Sequence, residues 1–108
     1  MDDEFEYDIA FSIRAGKDLK NIRRYLSEKI SESTAKKVLN RIFLALETLR
    51  KHPERYPLEP LLKDYGNYRV IQKGSYKVFY EFTGQEIIVV RVIHARRNLG
   101  RILGKFKP

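Results

Sequence analysis

The side chains best suited to chemistry lie where an apolar run gives out. Residues 87–93, IIVVRVI, lead into His94-Ala95-Arg96-Arg97-Asn98. Cations at the exit of a buried strand can contact phosphates or a carboxylate-rich surface. The same run also reads as a solvated basic tail with His94 packed at a sheet edge. His94 and His52 are the two side chains whose ordinary pKa lies near neutrality, so a nuclease using a histidine base would have to use one of them. His52 stands before Pro53, where a cation at the end of a helix is favoured by the macrodipole. Arg69, Lys73 and Lys77 form a second cationic group on adjacent expected strands. A cation there can stabilise a developing phosphorane charge, or simply pair loosely with Glu81 and Glu86 at the surface. Arg91 interrupts an apolar strand and points away from His94 if that strand is regular. It reads as an ion pair or a partner contact. Tyr65, Tyr68, Tyr76 and Tyr80 could stack bases, but aromatics at a period of two are more often core.

Elements must position these groups, and the hydrophobic pattern supplies them. Phe5, Tyr7, Ile9 and Phe11 alternate with polar or small residues, the period of a half-buried strand over 5–12. From Ala15 the spacing changes to three and four. Leu19, Ile22, Tyr25 and Leu26 make an amphipathic helix that ends near Lys29. Ser31 or Ser33 can cap a second helix. That helix carries Ala35, Val38, Leu39, Ile42, Phe43, Leu46 and Leu49 and should stop at His52-Pro53, since the residue before proline disfavours the α region. The short connection implies an antiparallel helical hairpin. A proline-rich loop over 53–66 precedes strands at 67–73, 75–82 and 86–93, the last two joined by a hairpin at Thr83-Gly84-Gln85. The expected fold is α+β, in the order β-α-α-β-β-β. The hairpin packs on one face of a small, mostly antiparallel sheet, and the other face and the basic end are left for work.

The chain of 108 residues is one ordinary domain in size, with residues 101–108 expected to form a flexible basic tail. Its formal charge is +8, distributed unevenly: residues 1–12 hold five acids and no bases, and residues 91–108 hold six bases and no acids. A basic balance points to an anionic partner: nucleic acid, a nucleoprotein machine or an acidic protein. The absence of cysteine excludes disulfide scaffolds, thiol catalysis and Cys-based zinc sites. Two distant histidines make a metal site unexpected, and no cofactor motif is present. No apolar run approaches the length of a membrane span, and the acidic start is unlike a secretory signal. A cytoplasmic protein without cofactor, metal or membrane is therefore expected.

Several segments together carry a resemblance. They are the strand Tyr7–Ser12; A-x-x-D-L at Ala15–Leu19 with Ile22 and Tyr25-Leu26; L-x-x-x-P at Leu49–Pro53; Tyr68-Arg69-Val70; Tyr76-Lys77-Val78-Phe79-Tyr80; and Arg91-Val92-Ile93-His94-Ala95-Arg96-Arg97-Asn98. In this order and spacing the chain resembles type II toxins of the RelE/ParE superfamily over nearly its whole length. The resemblance implies a toxin held inactive by a cognate acidic antitoxin, with operator DNA reached only through that antitoxin. ParE-like members poison DNA gyrase without a known hydrolytic site. RelE-like members cut mRNA on the ribosome with two lysines, two arginines and a tyrosine. Against that set, Arg69 stands at the first lysine, Ile71 at the second, Lys77 at the first arginine, Arg97 at the second and Leu103 at the tyrosine. The long second helix and the R-V-x-H-x-R-R ending favour the ParE-like branch, so the expected activity is gyrase poisoning. The alternative is a ribosome-dependent mRNA endoribonuclease using Arg69, Lys77, His94 and Arg97. The residues expected to meet target or antitoxin are Arg91, His94, Arg96, Arg97, Asn98 and Arg101.

Overall fold

The computed structural model describes residues 5–102. Strand β1 (Asp8–Phe11) leads into helices α1 (Ile13–Lys29) and α2 (Glu32–Glu47). Strands β2 (Tyr68–Lys73), β3 (Tyr76–Phe82) and β4 (Glu86–His94) follow, with a last helical turn α3 (Leu99–Ile102). The expected order of strands and helices is present. The sheet runs β1-β4-β3-β2: β2, β3 and β4 form an antiparallel meander, and β1 adds in parallel to β4. No described helix is long and apolar enough to cross a membrane.

Capping explains where the helices start. The Ser12 hydroxyl accepts from the Ala15 N–H at 3.0 Å and donates to the Val90 carbonyl at 3.0 Å, so one side chain caps α1 and ties it to the central strand. Ser31 caps α2 in the same way, accepting from the Thr34 N–H at 3.0 Å. The expected end of α2 at His52 is corrected. The helix stops at Glu47, where the Thr48 hydroxyl donates to the Ala45 carbonyl, and short turns then carry the chain to an exposed His52. His52 is therefore no helix cap.

Alternation along β3 sets the two faces of the sheet. Tyr76, Val78 and Tyr80 lie in the main core with Ala15, Ile22, Leu26, Ile42 and Leu46 of the hairpin, and Phe82 packs against it. Three of the four tyrosines weighed as base-stacking groups, Tyr68, Tyr76 and Tyr80, are thus buried. Tyr80 donates its hydroxyl proton to the Pro53 carbonyl at 2.8 Å. Burial pushes its pKa up to about 12, with nearby Arg69 acting in the opposite direction.

The second face is not bare. Leu62, Tyr68, Phe79 and Ile93 form a smaller buried cluster, with Tyr65, Val70, Val90 and Leu99 packed against it. The proline-rich segment supplies Leu62 from a short 3-10 turn at Pro60–Leu62, so the loop folds back over the sheet and leaves less of that face open than expected. The loop also pairs with β2, where the Glu59 N–H donates to the Tyr68 carbonyl at 2.8 Å.

Candidate functional site

Strand β4 carries the chemistry, and one extra residue decides how it presents it. Pairing with β3 passes from Tyr80↔Val89 to Phe79↔Arg91, so Val90 has no partner of its own and forms a bulge. The bulge moves the core-facing set from Ile87 and Val89 to Val92. His94, opposite Tyr76, then falls on the face that carries the helices. Between Arg91 and His94 the register is unbroken, so the two residues do diverge as a regular strand requires.

Strand β1 ends at Phe11, opposite Val89, and leaves the rest of that β4 edge without a strand. Asp18 of α1 takes its place. Its carboxylate accepts from the Val92 N–H at 2.9 Å, from Arg91 Nε at 2.9 Å and from Arg91 Nη2 at 3.2 Å. Arg91 is 2% exposed. The expectation that Arg91 meets a target or antitoxin is corrected here: its guanidinium is enclosed and forms a bidentate pair with Asp18.

Beyond that clamp the chain enters an open groove of about 790 Å³ between the joined ends of α1 and α2 and the end of the sheet. Its floor is apolar, with Ile22, Tyr25, Leu26, Val38, Tyr76 and Val92. Its rim is cationic, with Arg41, Lys73 and Arg97 beside His94. The His94 ring meets Tyr76 edge-on at 5.3 Å, and its Nδ1 accepts from the Arg96 N–H at 3.1 Å. That bond places the proton of the neutral ring on Nε2. Among the described residues no three histidine or carboxylate side chains come together as metal ligands.

Of the four residues named for a ribonuclease, two come together. His94 and Arg97 line the groove. Arg69 is on the helix side, opposite Tyr80, and donates to the Tyr56 carbonyl at 2.7 Å and the Glu54 carbonyl at 3.2 Å. Its nearest carboxylate is Glu54, at 3.6 Å, rather than the Glu81 or Glu86 named from the sequence. Lys77 stands opposite Gln72 and Ile93, on the other face of the sheet from Arg69 and His94. Ile71 is buried in the core. Leu103 and most of the expected basic tail, with Lys105 and Lys107, lie outside the described residues. Arg96 and Arg101 are exposed, while Asn98 caps α3 by accepting from the Gly100 N–H at 2.8 Å. Lys73 and Arg41 enter the groove by tertiary placement. Lys73 was visible as a strand cation, but nothing in the local pattern marks Arg41. Asp18 stands in the A-x-x-D-L motif, yet its bond to β4 needs the fold.

A four-stranded sheet with a parallel first strand and a helical hairpin on one face is the fold expected of the RelE/ParE toxins, and solved structures share it. A chain of the chromosomal ParDE TA system from P. aeruginosa has this fold, at a TM-score of 0.69 and 16% identity, over 84% of this chain and 98% of that one. A chain of the toxin–antitoxin complex RelBE2 from Mycobacterium tuberculosis matches at a TM-score of 0.55 and 21% identity, over 84% and 93% of the two chains. No curated protein sequence matches the chain at significance. The family described as ParE toxin of type II toxin-antitoxin system, parDE, matches residues 9–99, and the chain belongs to it.

Proposed function

We propose that this toxin inhibits growth by poisoning DNA gyrase, without catalysis of its own, and that a cognate acidic antitoxin neutralises it. The observation that carries this reading is a groove with cations and, among the described residues, no free acceptor placed to take a proton. Cleavage of RNA by its own 2′-hydroxyl needs a base near neutrality. The two candidates in the groove are the Asp18 carboxylate and His94 Nδ1, and N–H donors occupy both. The cations Lys73, Arg97 and Arg41 remain suited to holding an anionic partner. An antitoxin partner is supported by the family and by the two related structures, which are those of a ParDE system and a RelBE2 complex.

Purified toxin, incubated with gyrase and supercoiled plasmid, should trap cleaved DNA. Gyrase unimpaired at excess toxin overturns the reading. The alternative, a ribosome-dependent mRNA endoribonuclease, draws its support from the cationic rim around His94. It predicts codon-positioned cuts in mRNA that disappear in His94→Ala and Lys77→Ala variants, read by primer extension on the same preparation.

A further inference from the structure

The helical hairpin carries a second cationic surface, apart from the groove at the end of the sheet. Lys17, Lys20, Arg23 and Arg24 of α1 and Lys36 and Lys37 of α2 are all exposed. Arg23, Lys36 and Lys37 converge on one shallow groove between the helices, together with Asn40 and the half-exposed ring of Phe43. Among the described residues, one acid reaches this group: Glu32, 3.7 Å from Arg23, with both side chains more than half exposed. A surface pair of that kind contributes little and is readily exchanged for another anion. None of these cations supports the fold through a buried contact, so the surface is held positive without a structural return.

We infer that the outer face of the helical hairpin is a docking surface for the phosphodiester backbone of duplex DNA, read without regard to sequence. Three cations and an amide around one groove match the regular negative charge of a strand backbone. The half-exposed Phe43 ring beside them offers an apolar contact to the sugars of that strand. The inference deepens the gyrase reading, because a topoisomerase poisoned in its cleavage state presents duplex DNA next to the toxin. Recognition of an operator is a different task and stays with the antitoxin.

The test is fluorescence anisotropy of a labelled duplex of unrelated sequence, titrated with toxin over a range of salt. The comparison is an R23Q/K36Q/K37Q variant whose circular dichroism and melting match the parent. The parent is expected to bind with a salt slope that the triple substitution lowers by about 0.9 per phosphate contact removed. An unchanged slope and affinity in the variant overturns the inference, as does no binding by the parent at low salt. A second arm measures capture by gyrase freed of DNA. Equal capture of parent and variant is expected, whereas loss of capture in the variant assigns the surface to an acidic protein patch and overturns the inference. If the parent leaves gyrase unimpaired yet binds duplex through these residues, the gyrase reading falls and the docking surface stands.

Discussion

Asp18 and Arg91 are 73 residues apart in sequence and share a bidentate ion pair, at 2.9 and 3.2 Å, along the β4 edge that β1 leaves open. The pair is enclosed, with side-chain exposures of 2% for Arg91 and 11% for Asp18. Enclosed charges gain little over apolar substitutes, but a charge stripped of its partner is costly. Asp18→Ala or Arg91→Met alone should therefore cost about 3–5 kcal/mol in urea unfolding. The double variant Asp18→Leu/Arg91→Met should recover most of that loss. It should not recover all, because the Val92 N–H loses its acceptor and an unmet buried donor costs about 1–3 kcal/mol. Additive losses in the double variant would show that the two side chains do not form one unit.

Tyr80 should make the fold sensitive to alkali. Its pKa is raised to about 12 by burial, against about 10 in the unfolded chain. The folded state thus keeps its proton where the unfolded state has lost it. The stabilisation is fully present below pH 10 and disappears as the pH rises from about 10 to 12, an effect on the order of 2–3 kcal/mol. Tyr68 and Tyr76 are raised in the same direction, mainly by burial, and act in the same sense. Unfolding free energies measured from pH 8 to 12 should fall steeply above 10. In Tyr80→Phe the fall should be shallower, from a lower plateau because the bond to the Pro53 carbonyl is gone.

The two capping serines should differ. Ser31→Ala removes a helix cap and should cost about 1 kcal/mol. Ser12→Ala removes a cap and also the donor to the Val90 carbonyl, so a further loss of about 1 kcal/mol is expected. Equal losses in denaturant titrations would show that the second bond of Ser12 adds nothing.

Two glycines should respond with opposite signs. Gly66 has φ +152°, and a Cβ there would stand 2.9 Å from the Tyr68 ring, which is buried on the second face of the sheet. Gly66→Ala should cost about 1–3 kcal/mol through backbone strain and displacement of that ring. Gly16 lies inside α1, and a methyl group there would meet nothing within 4 Å. Gly16→Ala should stabilise by about 0.5–1 kcal/mol, since it narrows the unfolded ensemble and removes a helix-interior glycine. Melting of the two variants beside the parent checks both signs.

Periodicity made most of the architecture legible. The alternation of Tyr76, Val78, Tyr80 and Phe82 marks one side of β3, which the fold turns to the helices, and the spacing of Ile22, Leu26, Ile42 and Leu46 marks the faces of the hairpin that meet it. Local chemistry narrowed the second cap to Ser31 or Ser33, since a hydroxyl just before an apolar stripe is a cap, and the fold uses Ser31. The early stop of α2 was not legible, because it depends on the Thr48 hydroxyl reaching a carbonyl rather than on Pro53. The bulge at Val90 was invisible for a different reason. A run such as IIVVRVI is apolar on both faces and carries no phase from which a register shift could be read. The site was half legible for the same reason. His94 and Arg97 stand together in sequence, but Lys73 and Arg41 join them only through the packing of other elements. Arg69 and Lys77 are cations on adjacent strands, yet pairing puts them on opposite faces, and composition cannot report that.

The parallel union of β1 with β4 fixes when the toxin can exist. Ser12 and Val90, which close that union, are separated by 78 residues. At a translation rate of about 5–20 residues per second, a ribosome needs about 4–16 s to travel from one to the other. In the middle of that interval, after Glu47 and before Tyr68, the hairpin has been made but the strands that cover its apolar stripe have not. The cation-lined groove at the far end of β4 forms last of all. The groove is thus incomplete while the chain grows, and its cations come together only after the central strand has been made.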